Sequence, residues 1–172
     1  LIDVPIVLPP SVAGLALLVL FGRRGLIGSY FSEFGITIIF TSVAVIIAQI
    51  FVAGPLYIRQ AKSAFAMVDQ VYESAARTLG AGRLLTFIKV TVPLARTGLI
   101  SGIILSFARA IGEFGATIMV AGNLPGKTQT MPLAIYGFMQ SDLTASIALS
   151  IVLIAISFII LILIRVISGR AA

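Results

Sequence analysis

Two ionisable residues stand four positions apart inside an apolar stretch, Arg109 and Glu113. On a helix that spacing puts them on one face. In lipid such side chains are costly, and they turn toward a bundle interior, a water-filled cavity or each other. Two readings follow: a polar lining beside a pathway, or a mutual ion pair that ties neighbouring helices together. Gly112 and Gly115 interrupt the same surface, and Gly98 and Gly102 form a small-xxx-small pair upstream. Small residues of this kind let helices approach closely or allow a helix to be interrupted.

Other chemistry is thinly supplied. The chain has no cysteine and no histidine, so disulfides, thiolate or imidazole metal sites and the usual nucleophile–base pairs are excluded. A Ser–Lys arrangement survives the counting, but no lysine is poised beside a serine in an apolar span. No Gly-x-x-x-x-Gly-Lys-Ser/Thr motif appears, so ATP is not hydrolysed by this chain. Neither a cofactor nor a metal is expected.

The elements that position these residues are set by composition. Hydrophobic residues make up 59% of the 172 and charged ones 10%, where a soluble domain carries roughly a quarter charged. Lipid is the solvent that does not reward charge, and the expectation is one all-α membrane domain over residues 1–172. Four stretches are long and apolar enough to approach the ~20 residues a spanning helix needs: about 2–21, 35–57, 97–122 and 143–164. Membrane strands would alternate apolar and polar residues, and these runs are apolar on every side. No internal repeat is visible. Pro9 and Pro10 fall within the first stretch, and Pro10 must kink or begin a helix. Pro10 to Gly22 is too short to cross alone, and a broken helix is tolerated where it lines a cavity or is buried in protein. The chain opens at Leu1 in the middle of an apolar run, which reads as a longer protein lacking its N-terminal portion.

The net charge of +6 flanks apolar spans without aromatic interleaving, so it reports membrane topology and not nucleic acid. Residues 58–96 carry Arg59, Lys62, Arg77, Arg83, Lys89 and Arg96 against Asp69 and Glu73, and the tail adds Arg165 and Arg170. The positive-inside rule puts this segment and the C-terminus in the cytoplasm. The connections carrying Arg23, Arg24 and Lys127 then lie outside.

Within the cytoplasmic segment, Val68, Val71, Tyr72, Ala75, Ala76 and Leu79 follow the i, i+3, i+4, i+7 pattern. The spacing predicts a helix over 68–79, stopped by Gly80 and Gly82. A second helix begins near Arg83 and runs to Val92-Pro93-Leu94, where proline disrupts it before the next span. Such a hairpin either rests on the membrane surface or lays an amphipathic helix in a partner's groove.

The residues carry a resemblance. Ala75-Ala76, then Gly80, then Val90-x-Val92-Pro93 resembles the "EAA" signature of ABC-importer permeases, with both spacings kept. Ser74 stands where the general pattern has Glu, with Glu73 one position earlier, and valines replace Ile and Leu. Glu73 to Ala81 is similar to the variant of the sulfate/molybdate branch. Phe107-Ala108-Arg109-Ala110-Ile111-Gly112-Glu113-Phe114-Gly115-Ala116-Thr117 and the segment Ala121 to Tyr136, with Asn123-Leu124-Pro125-Gly126-Lys127-Thr128-Gln129-Thr130, resemble the permeases for molybdate and tungstate. Sulfate permeases share the first of these and are less similar through the second.

That resemblance implies a helical permease subunit in the cytoplasmic membrane, acting as two copies with cytoplasmic ATPase subunits and an external oxyanion-binding protein. Glu73, Ala75, Ala76, Arg77, Gly80 and Pro93 would then belong to a coupling helix that docks on the ATPase. Pro9, Pro10, Gly14, Arg109, Gly112, Glu113 and Gly115 would lie along the pathway or its gate. An ionised Glu113 would repel an anionic substrate, so direct contact there is not expected. The alternatives are a sulfate permease of the same family, an ATPase-independent channel or transporter, and a membrane enzyme or scaffold. A channel predicts no docking helix and favours a visible repeat; an enzyme lacks its usual residues.

Overall fold

The computed structural model describes residues 4–169, with side chains described for 5–166. The sequence-based start of the first apolar stretch at Ile2 and the tail residue Arg170 lie outside them. Every regular element among the described residues is helical. The chain divides into two compact units, Leu1–Pro55 with Phe107–Ile159, and Leu56–Ser106 with Ile160–Ala172.

The first unit begins with a single turn, α1 (Val4–Val7), and a break at Leu8-Pro9 before α2 (Pro10–Phe21). Pro9 is extended at φ −53°, ψ 134°, the conformation that a following proline imposes. Pro10 is the first helical residue, where its missing N–H is not needed. With 12 residues, α2 rises about 18 Å, short of a hydrocarbon core of about 30 Å. A six-residue helix, α3 (Gly28–Glu33), follows.

The next long helix, α4 (Ser42–Ala66), starts later than the apolar run does. Residues 35–41 are apolar yet irregular, with Gly35 and Phe40 at φ 72° and 58°, and the Phe40 amide donates to the Val120 carbonyl at 3.2 Å. The Thr41 hydroxyl accepts from the Ala44 amide at 3.4 Å, which caps the helix at that point. Hydropathy alone places the start at Gly35; the positive-φ residues and the cap move it to Ser42. At the other end α4 continues through Arg59 and Lys62, well past the apolar run.

A second correction concerns the stretch read as one span over 97–122. The helix α7 (Val92–Ile111) ends before Glu113, and a separate short helix, α8 (Gly115–Ala121), follows the break. Two more short elements lie beyond what hydropathy anticipates: α3, and α9 (Met131–Met139). The last helix, α10 (Leu143–Gly169), contains the most apolar span. The core of the first unit is built from Leu17 of α2, Ala44, Ala48 and Val52 of α4, and Ala116, Val120 and Ala121 of α8.

The second unit holds the end of α4, then α5 (Gln70–Thr78) and α6 (Arg83–Thr86). A π-helical turn, Phe87–Thr91, joins α6 to α7 without a stop. Proline was expected to disrupt the ladder near Pro93, and the ladder is disturbed there without the helix stopping. Pro93 has no N–H to offer the carbonyl four residues back; just before it, the ladder has widened, with the Val92 amide donating to the Phe87 carbonyl. The widened turn carries the chain past the proline. Arg83–Ile111 is thus a 29-residue candidate span, beside Ser42–Ala66 and Leu143–Val166.

Candidate functional site

In the first unit, residues singled out by sequence meet where α2 packs on α8. A Cβ added at Gly14 would lie 2.7 Å from the Ala116 Cα and carbonyl oxygen, and one at Gly115 would lie 2.9 Å from Pro10 Cβ. Only glycine permits that approach on both sides of the contact. Gly112 is different: its nearest neighbour would be the Arg109 carbonyl at 3.9 Å, so it is not a packing glycine.

Arg109 and Glu113 do pair, with Nη1 to Oε2 at 2.8 Å. They do so across the helix end and not along one helical face, since α7 stops at Ile111. The Glu113 side chain is 2% exposed and that of Arg109 40%. The other Glu113 oxygen accepts from the Ala116 amide at 2.9 Å, satisfying one of the orphan donors that open a helix. Glu113 therefore closes α7 and starts α8 with one carboxylate. Thr117, fully buried one residue further on, has a hydroxyl with no hydrogen-bond partner among the described residues.

The loop after α8, whose residues carry part of the family resemblance, is organised by hydrogen bonds that sequence reading did not assign. Thr128 is buried; its hydroxyl accepts from the Leu124 amide at 3.1 Å. The Asn123 side-chain amide donates to the Leu133 carbonyl at 3.0 Å, and the Ser42 hydroxyl to the Lys127 carbonyl at 2.9 Å. The signal was present as the polar run Asn123 to Thr130 between apolar helices, but nothing in it distinguishes an ordered loop from a solvated one.

In the second unit, α5 is a short helix with both ends closed. Asp69 accepts from the Val71 amide at 2.9 Å, and the helix starts at Gln70, later than Val68. At the C-terminus the Ala81 amide donates to the Ala76 carbonyl at 3.0 Å and the Gly80 amide to the Arg77 carbonyl at 2.9 Å. That double bond pattern closes a helix around a left-handed residue, and Gly80 sits at φ 86°. Val71, Tyr72, Leu79 and Leu84 are exposed, Leu79 to 88%. Ala75 is exposed and Ala76 half-buried.

Glu73 is partly covered. Its Oε1 accepts from the Thr91 hydroxyl at 2.7 Å, and its Oε2 stands 3.7 Å from Arg77. Pro93 follows within the helix that leaves the π turn. Across the described residues no cluster of carboxylates could hold a metal ion.

Three long apolar helices, with a tightly packed pair of short ones, define a multi-pass helical membrane protein. Within that class the chain belongs to the family of binding-protein-dependent transport system inner membrane components, which it matches over residues 1–172. It is 45% identical over 164 residues to the probable transport system permease protein NifC of Clostridium pasteurianum, a match covering 95% of this chain and 57% of that protein. It is 46% identical over 163 residues to the putative molybdenum transport system permease protein YvgM of Bacillus subtilis, covering 94% and 72%. The sulfate transport system permease protein CysT of Salmonella typhimurium is 38% identical over 171 residues, covering 99% and 62%. The chain thus spans 57% to 72% of the length of these relatives.

Proposed function

We propose that the chain is the greater part of the membrane-spanning subunit of an ATP-driven importer for molybdate or tungstate, with hydrolysis on a separate cytoplasmic ATPase. Two copies form the pathway, and an external binding protein delivers the anion. The 58–96 segment and the C-terminus face the cytoplasm, in line with the basic residues gathered there.

The observation that carries this reading is the α5–Gly80–α6 hairpin. Its ends are closed by its own hydrogen bonds, and it presents Val71, Tyr72, Leu79 and Leu84 outward. Small residues at Ala75 and Ala76 let the helix seat closely in a groove of the ATPase. Arg77, Gly80 and Pro93 shape and mount that helix. The Pro9–Gly14 and Gly112–Thr117 segments of the two facing copies close the pathway, held together within each copy by the α2–α8 contact, and the break at Gly112–Phe114 is the joint on which α8 turns. Arg109 and Glu113 hold that joint.

Sulfate is the second reading, favoured by the 38% identity to the sulfate relative. The mid-pathway needs no tight oxyanion site, because a bound ion must also leave. The test is co-purification of the full-length protein with its ATPase, followed by competition among molybdate, tungstate and sulfate for uptake. Retention of the ATPase and competition by molybdate and tungstate at lower concentration than sulfate is expected. Uptake most sensitive to sulfate would replace the substrate, and absence of any ATPase partner would replace the reading.

A further inference from the structure

The carboxylate of the coupling motif is partly covered and tied back to the protein by one oxygen. Glu73 accepts the Thr91 hydroxyl at 2.7 Å, and Thr91 is 6% exposed. Thr91 is also the last residue of the π-helical turn Phe87–Thr91. The first residue of the same turn, Phe87, packs its ring on Phe65 at the end of α4, with centroids 5.7 Å apart. The π turn is thus gripped at one end by α4 and at the other by α5. Such turns carry one extra residue and recur at functional positions. Here the turn stands near the start of the longest candidate span among the described residues, with Val92 between it and Pro93.

We propose that Thr91 is a positioning residue for energy coupling: through its bond to Glu73 it fastens α5 to the π turn, so that displacement of α5 moves the base of α7. The inference rests on the transport reading above and adds to it the joint through which motion enters the membrane. The π turn is the suitable place for that joint. Its bonds can shift between five- and four-residue spacing, which changes the register of α7 by one residue while the remainder of its ladder stays intact. A side chain meant only to contact the ATPase would stand free, as Leu79 does; Glu73, partly covered, commits one oxygen to a buried hydroxyl.

The test uses the assembled full-length transporter in proteoliposomes, with Thr91→Val, Thr91→Ser and Glu73→Gln. Two quantities are read: amide hydrogen exchange in α5, and anion taken up per ATP hydrolysed. Loss of a hydrogen bond to a charged acceptor should raise exchange in α5 on the order of tenfold. In Thr91→Val uptake per ATP should fall several-fold in parallel. Thr91→Ser, which keeps the hydroxyl, should restore both, and Glu73→Gln with Thr91→Val should be no worse than Thr91→Val alone. Unchanged exchange in Thr91→Val would show that the bond does not fasten α5. Faster exchange with wild-type uptake per ATP would make the contact merely structural. If the wild-type transporter shows no ATP-driven uptake, the transport reading falls and the positioning role with it, while the exchange arm still reports the contact itself.

Discussion

Glu113 binds Arg109 with one carboxylate oxygen at 2.8 Å while its other oxygen receives the amide of Ala116 at 2.9 Å. One buried side chain therefore neutralises a charge at the end of α7 and starts α8. Removing Arg109 leaves a carboxylate with 2% exposure unpaired, and breaking a buried pair costs about 3–5 kcal/mol, less here because Arg109 is partly exposed. Arg109→Leu should therefore unfold at clearly lower temperature in detergent, and Arg109→Leu with Glu113→Gln should recover part of the loss. The double variant keeps an acceptor for the Ala116 amide and removes both charges. Losses that simply add across the cycle would show that the pair does not act as one.

Packing at the α2–α8 contact separates the glycines. Gly14→Val places a branched side chain where even a Cβ would stand 2.7 Å from backbone atoms of Ala116. Overpacking of that kind typically costs about 1–3 kcal/mol. Gly112→Ala, whose Cβ would find its nearest neighbour at 3.9 Å, should unfold at close to the wild-type temperature. Thermal melts of the two purified variants check the contrast, and equal losses would mean that the close approach of α2 and α8 is not what Gly14 serves.

At Gly80 the cost is conformational. No atom lies within 4 Å of a Cβ built there, but φ is 86°, and a non-glycine residue in a left-handed conformation loses roughly 1–2 kcal/mol. Gly82, equally open and at φ −67°, should accept alanine freely. On the transport reading proposed above, Gly80→Glu should also uncouple ATP hydrolysis from uptake while membrane insertion survives, since it sets a charge on the proposed docking surface. Normal uptake per ATP in that variant would move the docking surface elsewhere.

These three sites also show what was legible in the sequence. Pro10 announces the start of α2 because its ring admits few positions in a helix, and Gly80 announces the end of α5 because few residues take a left-handed turn. The spacing of Arg109 and Glu113 announces an ion pair. Hydropathy cannot reveal that the helix stops between them, because Ile111, Phe114 and Ala116 remain apolar through the break and Glu113 supplies the missing acceptor. Nor does it reveal that the chain runs on through Pro93, since a π turn is a matter of backbone spacing and leaves no mark in residue types. Residues 35–41 mislead in the opposite sense: they are apolar, but Gly35 and Phe40 take positive φ and the helix waits for its cap at Thr41. Thr91 lies in the unspecified position between Val90 and Val92, and only the fold brings it to Glu73.

The account stands most directly on ATP-driven uptake. The full-length protein, reconstituted with its ATPase and with the binding protein outside, should accumulate molybdate only when ATP is present on the ATPase side. The binding protein should raise ATP hydrolysis when it carries the anion. Gly80→Glu should break the proportion between the two. Molybdate accumulation that proceeds without ATP, or without the ATPase, would contradict the claim that this chain couples hydrolysis to import.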